Sequence, residues 1–349
     1  MDIAILLVSL VVILVGAELF TNGVEWVGHR LNLGEGAVGS VLAAVGTALP
    51  ETIIPIIAIV FAESASADEV GIGAILGAPF MLATLAMFIT GAAILGFRRR
   101  RPTGTVARVD LGLVARDARA FLVAYSIAIG AAFLPAPFRP YLWIVAIGLL
   151  LLYGRYVRSH MREERDAELE DPGPLRMHRL DPVARRVPDE PPRLWVVVLQ
   201  VAVALTCIIV GAVFFVGAVD HIAIALGVNE TLLALVIAPI ATELPEKFNS
   251  VIWVRQGKDN LALGNITGAM VFQSAIPPSV ALVFAPEAWS VGEGSAIAFL
   301  SAGIAVLSLG AIVGPALVRG RLTGRGLLVG GAFYLLYLGI VIASMLGAG

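Results

Sequence analysis

The feature that most constrains this chain is a Pro-Glu pair that interrupts two long apolar runs. Residues 47–51 and 242–246 share the pattern Thr-x-Leu-Pro-Glu. The runs align without a gap at an offset of 195 residues, and 12 of the 36 positions in 16–51 and 211–246 are identical. An ionised carboxylate at the centre of a bilayer costs at least about 2.5–3.5 kcal/mol. A duplicated Pro-Glu in such runs therefore predicts a functional polar site built by two related halves.

Composition places the chain in a membrane. Of its 349 residues, 58% are hydrophobic and only 14% are charged, and the mean hydropathy is +0.91. A soluble domain of this size could not bury so much apolar surface, so we predict an all-α polytopic membrane protein. A helix needs about 20 apolar residues to cross the hydrocarbon. Ten crossings are predicted, at about 2–22, 35–61, 70–97, 119–135, 140–157, 194–218, 228–254, 261–286, 294–318 and 326–346.

Basic residues set the predicted orientation. All 24 Lys and Arg residues except Arg139 and Lys247 fall on one side of the predicted topology. The positive-inside rule then places the loop 158–193 in the cytoplasm and both termini outside, in a plasma (inner) membrane. The first apolar run lacks a basic leader and a cleavage site, so we expect it to remain as a membrane helix.

The crossings divide into two sets of five. Residues 1–157 hold the first set, 158–193 form a polar segment, and 194–349 hold the second set. An odd number of crossings in each half inverts the second half relative to the first, which predicts two inverted five-helix repeats. The segment 158–193 is rich in Arg, Glu, Asp and Pro and is expected to be a flexible linker.

The chemistry of the duplicated motif suits a hard cation. A proline inside a helix removes an N–H and frees carbonyl groups of the preceding turn. Carbonyl, hydroxyl and carboxylate oxygens are the ligands of Ca²⁺, which takes six to eight of them. The predicted ligands of a cation between the two halves are Glu51, Glu246, Thr47 and Thr242. The alternative is that each glutamate is a buried structural group, hydrogen-bonded to a neighbouring helix.

A weaker repeat follows each Pro-Glu run. The pattern Gly-x-x-x-Gly occurs at 73–77 and at 264–268. Small residues at this spacing let a neighbouring helix approach closely, and packing alone would explain the first copy. The second copy also carries polar groups, and Asn265 and Gln273 are predicted as further ligands.

These motifs together resemble the alpha repeats of the sodium/calcium exchanger family, within the cation/calcium antiporters. The shared elements are Gly-Ala-x-x-Phe, Thr-x-Leu-Pro-Glu and Gly-Asn-x-x-Gly, and the resemblance covers about 16–85 and 211–280. It implies that Glu51 and Glu246 are the principal calcium-binding carboxylates, with Thr47 and Thr242 beside them. It also implies ten helices over the whole chain.

The chain departs from the family pattern around that core. The family has a serine after each threonine, and a serine with Asn or Asp in the helix after each glycine motif. The residues here are Ala48, Glu243, Ala78, Leu82, Ala269 and Gln273. Hydroxyl and amide donors associated with sodium are therefore fewer, and both Na⁺ and H⁺ stay open as the coupling ion.

Glu243 is itself a candidate ligand, and it lies four residues before Lys247. This order of charges favours an ion pair on a helix. One interpretation is a structural pair that partly neutralises itself. The other is that the Lys247 ammonium occupies the position of a sodium ion in relatives, with protons on the glutamates as the coupling step.

The function expected from these features is a secondary-active antiporter that exchanges Ca²⁺ or a similar cation for Na⁺ or H⁺ by alternating access. The alternatives are a cation channel and, less favoured, an intramembrane hydrolase. No H-E-x-x-H or G-x-S-x-G motif occurs, so we expect no enzyme. The expected partners are inorganic cations and lipid, with no cofactor, no nucleic acid and no obligatory protein partner. The four histidines lack metal-ligand spacing and are expected at interfaces or in loops.

Overall fold

The computed structural model describes residues 2–48, 51–52, 55–56, 59–60, 65–163, 173–180, 191–225, 243–292 and 295–347. This part of the chain is helical apart from turns and one isolated β-bridge, between Val106 and Thr323. Its main helices are α1 (Asp2–Leu31), α2 (Glu35–Ala37, Val38–Ala43 and Ala44–Thr47), α3 (Ala65–Met81, Leu82–Ala86 and Met87–Phe97), α4 (Leu111–Ala131), α5 (Leu142–Glu163), α6 (Leu194–Ala225), α7 (Leu244–Gln256), α8 (Asp259–Phe284), α9 (Ala296–Arg319) and α10 (Val329–Gly347).

The helices are those of a membrane protein. Within the described residues, seven are long and apolar enough to cross a bilayer: α1, α3, α5, α6, α8, α9 and α10. The described parts of α2 and α7 are shorter, and they adjoin residues that the structure does not describe. Helix α4 has sufficient length but carries Arg116, Asp117 and Arg119 in its first half. The described residues thus contain seven candidate spans, whereas the sequence predicts ten crossings.

Helix α4 begins earlier than the predicted crossing at 119–135. It runs over Leu111–Ala131, and the Asp110 carboxylate caps its first turn by accepting a hydrogen bond of 2.7 Å from the Gly112 amide. The hydropathy of the sequence misplaced this helix because its polar residues find their partners on other helices. Asp117, which falls in a loop of the predicted topology, is instead inside a helix and fully buried.

Loops from distant parts of the chain meet at two ends of the bundle. At one end, the Ala107 amide donates to the Leu322 carbonyl at 2.9 Å, and the Arg101 guanidinium pairs with Asp259. At the other end, Arg139 reaches Glu287 at 3.1 Å. The loops after α3, α7 and α9 thus lie together, and those after α4 and α8 lie together. This is the alternation expected of consecutive membrane crossings.

Two packing arrangements organise the bundle. Helix α8 is its centre, with 83% of its most apolar stretch buried, and it contacts α2, α4, α5 and α7. Helix α1 packs along α6. A methyl group on Gly16 would lie 3.0 Å from Ile208, and one on Gly211 would lie 2.8 Å from Ile13. These glycines hold equivalent repeat positions, so both halves use the same small residue to bring α1 and α6 together.

Part of the segment expected to be a flexible linker is instead docked on the bundle. The Gly173 carbonyl accepts hydrogen bonds from Trp26 at 2.9 Å and from Asn22 at 3.2 Å. The Gln200 side chain accepts from the Met177 amide at 2.8 Å, and Leu175 is buried. The prediction of flexibility was wrong for 173–180, because the polar groups of α1 and α6 that hold it were not recognised. Residues 164–172 and 181–190 lie outside the described residues.

Candidate functional site

In both copies of the Pro-Glu motif, the described part of a helix ends or begins at the same repeat position. Ala48 closes the described part of α2 with a ψ of 2°, and Glu243 precedes α7 with a ψ of 13°. Ala48 and Glu243 are separated by the 195-residue offset of the repeat. Pro245 falls in the first turn of α7, where a missing N–H costs no hydrogen bond. The proline therefore starts a helix here and places Glu246 at its positively polarised end.

Glu51 and Glu246 are both buried, and neither has a hydrogen-bonding partner among the described residues. Glu51 is 9% exposed and Glu246 is 0% exposed. None of their four carboxylate oxygens has a hydrogen-bond partner among the residues that the structure describes. The two groups lie close enough to repel each other electrostatically, and Glu243 adds to this repulsion. Burial of like charges is costly unless a cation, a proton or donor groups compensate them.

Thr47 joins the first repeat to the second. Its hydroxyl donates to the Ala43 carbonyl at 3.1 Å and lies 3.2 Å from Oδ1 of Asn265 on α8. The hydroxyl also lies close enough to the Glu246 carboxylate to interact with it, although the geometry is not that of a hydrogen bond. Asn265 is completely buried, and its Nδ2 atom has no partner within the described part of the chain. Four of the predicted ligands, Thr47, Glu51, Glu246 and Asn265, thus fall in one buried region.

These residues come together because helices α2 and α8 cross at close range. A methyl group on Gly264 would lie 2.9 Å from the Ser40 hydroxyl oxygen, and one on Gly268 would overlap the Ser40 backbone. Gly39 faces Leu261 in the same way. The second glycine motif therefore has the packing role that small residues predict. The first motif differs, since a methyl group on Gly73 or Gly77 would have no described atom within 4 Å.

The Glu243–Lys247 pair forms as the spacing predicts. The Lys247 ammonium donates to Glu243 Oε2 at 3.1 Å and to the Glu243 carbonyl at 3.3 Å. Both residues are deeply buried, since Glu243 is 1% and Lys247 3% exposed. Oε1 of Glu243 has no hydrogen-bond partner in the described residues. The pair also acts electrostatically on Glu51 and Glu246, so it belongs to the same region.

The remaining predicted ligands are less clearly placed. Gln273 lies on α8 about two turns beyond Asn265, is 1% exposed, and has no amide partner among the described side chains and backbone. Thr242 and Pro50 lie outside the described residues. Among the residues that were described, no three acidic, His or Cys side chains form a metal-holding group. Hydroxyl, amide and carbonyl oxygens would therefore have to contribute to any cation site here.

Two residues of this region were not found from the sequence. Asn249 is completely buried, and both atoms of its amide lack partners among the described residues. It follows Glu246 by three positions, which places it on the same face of α7. Tyr334 on α10 has a buried hydroxyl without a described partner, and it interacts with Glu243. The spacing from Glu246 could have indicated Asn249, whereas Tyr334 depends on how α10 packs.

A second buried carboxylate, Asp117, was also missed. Its oxygens accept hydrogen bonds from Ser40 at 2.9 Å, from Thr267 at 2.5 Å and from the Tyr156 hydroxyl at 3.0 Å. His160 Nε2 lies 3.1 Å away. The expectation that His160 sits at an interface or in a loop was wrong, because α5 continues through it and buries it against α4. We define these five residues as the Asp117 cluster.

Comparison with known proteins agrees with this arrangement. The family model described as sodium/calcium exchanger protein matches residues 1–159 and 196–346. CaxA of Alkalimonas amylolytica, which bears the name of a proposed antiporter, is 25% identical over 347 residues, or 95% of this chain and 97% of that protein. The uncharacterized membrane protein MJ0091 of Methanocaldococcus jannaschii is 23% identical over 265 residues, covering 76% of each chain.

Solved structures show the same fold. One structure of the sodium-calcium exchanger NCX_Mj, soaked with 100 mM Na⁺ and 10 mM Sr²⁺, has a TM-score of 0.71 at 17% identity and covers 97% of both chains. Another, soaked with 2.5 mM Na⁺ and 0.1 mM Sr²⁺, has a TM-score of 0.72 at 18% identity, with coverage of 97% of this chain and 99% of that one. The named functions among these relatives are transport functions. With its helical membrane fold and a family match over nearly its whole length, the chain belongs to the sodium/calcium exchanger family.

Proposed function

We propose that this protein is a secondary-active antiporter that exchanges Ca²⁺ or a similar divalent cation for Na⁺ or H⁺. The observation that carries the proposal is the pair Glu51 and Glu246, which are buried together with no described hydrogen-bond donor. A carboxylate at membrane depth is expensive, and a transported cation would supply the missing compensation. The cations are substrates in this proposal, and no cofactor is required.

The proposed architecture is ten crossings in two inverted five-helix repeats, divided at 157 and 194. Three observations support it. Turn residues that flank a described helix lie at the equivalent positions Ala48 and Glu243, Gly16 and Gly211 make equivalent contacts, and the loops group at two ends of the bundle. The charge distribution supports both termini outside a plasma (inner) membrane, with 158–193 in the cytoplasm.

The proposed site lies near the middle of the membrane, where the two broken helices face each other. Glu51 and Glu246 neutralise a divalent cation, and Thr47, Thr242, Asn265 and Gln273 provide neutral oxygens. Glu243 contributes its free Oε1. Because the substrate cation and the coupling ions need the same carboxylates, they compete for one site. Alternating access would then expose that site to one side of the membrane at a time.

The alternatives lack a supporting observation. A channel needs a continuous path across the membrane, whereas the described parts of α2 and α8 pack closely against each other in this region. A hydrolase needs a nucleophile or a metal-bound water beside a substrate cavity. The cavity of about 470 Å³ found among the described residues is an apolar groove between α1 and α6, lined by Val8, Val12 and Phe214 among others.

The test is uptake of radioactive Ca²⁺ into proteoliposomes that contain the purified protein. Uptake is driven by an outward Na⁺ gradient or by a pH gradient alone, and Mn²⁺ and Mg²⁺ serve as competitors. Glu51→Gln and Glu246→Gln should each lower uptake at least about 100-fold, because removal of one compensating charge from a desolvated ion costs about 3–5 kcal/mol. Glu287→Gln, at an exposed loop position, is the matched control and should transport normally.

The outcomes separate the candidates. Normal exchange by either glutamine variant, with the protein folded, would remove the two glutamates from the site. Unitary currents far above carrier turnover would indicate a channel. The response to each gradient identifies the coupling ion, since a protein driven only by Na⁺ would not respond to pH.

A further inference from the structure

The region around Glu51 holds one fixed positive charge in addition to its three carboxylates. Glu51, Glu243 and Glu246 are at most 9% exposed, and Lys247 is 3% exposed. All four interact electrostatically with one another. When all are ionised, three negative charges and one positive charge leave the region with a net charge of −2. This charge matches one divalent cation, and equally two monovalent cations.

The Lys247 ammonium is bound in the way a small monovalent cation would be. It contacts a carboxylate oxygen of Glu243 at 3.1 Å and the backbone carbonyl of the same residue at 3.3 Å. That carbonyl belongs to the non-helical residue before α7. The same carbonyl also accepts a hydrogen bond of 3.4 Å from the Lys247 amide. Carboxylate oxygens and carbonyl oxygens at a helix end are the groups that bind coupling ions in transporters of this architecture. The tether to α7 keeps this cation in place throughout a cycle.

We propose that Lys247 is a resident monovalent cation that sets the charge stoichiometry of exchange. The inference rests on the proposed function and makes it more specific. With Lys247 occupying one monovalent position, the site accepts either one divalent cation or two monovalent cations. Each loaded form is neutral, so a complete exchange cycle moves no net charge across the membrane. If the Glu243–Lys247 pair did not share the site with the transported ions, removing the Lys247 charge would leave the transported charge per cycle unchanged.

The chain offers a second buried Lys–Glu pair as a matched control. Lys258 binds Glu25 on α1, and Glu25 also accepts a hydrogen bond of 2.9 Å from Trp253. The side chains of Lys258 and Glu25 are 13% and 6% exposed. This pair lies at the turn between α7 and α8, away from the glutamates of the site. Its replacement tests the effect of losing a buried ion pair without changing the charge of the site.

The experiment measures steady-state Ca²⁺ accumulation in proteoliposomes at potentials set with K⁺ and valinomycin. The gradient of the coupling ion is held constant. One net charge per cycle would change the accumulation ratio about 50-fold per 100 mV, which is about 2.3 kcal/mol. The wild-type protein is expected to change less than about 2-fold over that range. A 50-fold response in the wild type overturns the inference.

Variants test whether Lys247 is the reason that a complete exchange cycle moves no net charge. Lys247→Met raises the negative charge of the site by one, admits a third monovalent cation, and should make accumulation change about 50-fold per 100 mV. Glu243→Gln with Lys247→Met restores the net charge of −2 and should abolish the voltage response again. Lys258→Met with Glu25→Gln should behave like the wild type.

Each result has a defined meaning. A voltage-insensitive but active Lys247→Met protein, or a voltage-sensitive double variant at Glu243 and Lys247, overturns the inference. If Lys247→Met does not fold, Lys247→Gln, which also removes the charge but keeps a polar side chain, takes its place with the same expected 50-fold response. Failure of the proposed function looks different, because wild-type vesicles would then accumulate no divalent cation under any gradient, whatever the voltage.

Discussion

Helices α2 and α8 contribute side chains to two buried carboxylate clusters. The carboxylate of one cluster has hydrogen-bond donors, and the carboxylates of the other have none among the described residues. Ser40 and Thr267 donate to Oδ2 of Asp117. Tyr156 donates to Oδ1, which also lies beside His160. Thr47 and Asn265, on the same two helices, border Glu51 and Glu246, whose oxygens have no described donor. Burial is equally deep in both clusters, since Asp117 and Glu246 are each 0% exposed.

The difference separates a structural carboxylate from one suited to a transported ion. Asp117 binds donors from other helices, so its charge is compensated by the protein and no ion is needed. The glutamates leave their oxygens unpaired among the described residues, a cost that a cation offsets when it binds and that returns when it leaves. Burial alone therefore does not indicate a cation site, whereas buried carboxylate oxygens without described donors support the proposal of one.

The largest expected effect is on the Asp117 cluster. Asp117→Ala should lower the free energy of unfolding by about 3–5 kcal/mol, because the buried groups around it lose their acceptor. The measurement is thermal unfolding in detergent, with Asp110→Ala as the control. Asp110 caps the exposed start of α4, so its loss should cost about 1 kcal/mol. An Asp117→Ala protein as stable as the control would show that the cluster is not structural.

Glu246→Gln, unlike Asp117→Ala, should not lower the free energy of unfolding in the absence of divalent cations. Without divalent cations it should be at least as stable as the wild type, because a neutral amide removes repulsion from Glu51 and Glu243. At a Ca²⁺ concentration about 100 times its Kd, the wild type should gain about 2.7 kcal/mol, and the variant should gain nothing. Thermal unfolding in chelator and in Ca²⁺ measures both. A large loss of stability in chelator would mean that Glu246 is structural in the same sense as Asp117.

Gly268→Ala tests the crossing that the two clusters share. Its methyl group would overlap the backbone of Ser40, so α2 and α8 must move apart, at a cost of about 1–3 kcal/mol. The same movement would separate Thr47 from Asn265 and weaken Ca²⁺ binding, as measured by titration calorimetry. Gly310→Ala is the control, since no described atom lies within 4 Å of its methyl position. If Gly268→Ala bound Ca²⁺ as tightly as the wild type, the α2–α8 crossing would not determine the geometry of the site.

The smallest effect is expected at the docked segment 173–180. Arg176 pairs with Glu18 at 2.7 Å, and the two side chains are 52% and 42% exposed. Arg176→Ala should change the free energy of unfolding by at most about 1 kcal/mol, as solvent screens such pairs. Leu175→Ala removes a side chain that is 2% exposed and should cost more. Equal effects in thermal unfolding would contradict the docking of this segment by apolar contact.

Much of the fold was predictable because the signals are local. Apolar run lengths predicted helices at most of the observed positions, and the prolines indicated the described helix end at Ala48 and the helix start after Glu243. The length of the apolar run did not predict where α4 begins, because Asp117 interrupts the hydropathy of that helix. The burial of His160 was also missed, because the partner that buries it, Asp117, lies on another helix.

The sequence by itself determined that this is a membrane protein and that Glu51, Thr47 and Glu246 belong to a repeated motif, since composition and internal repetition are properties of the chain alone. Only the tertiary structure decided which buried carboxylate has donors. Ser40 and Asp117 are 77 positions apart in the chain, and Thr47 and Asn265 are 218 apart. Such contacts depend on the rotation and register of packed helices, and no local pattern records either quantity.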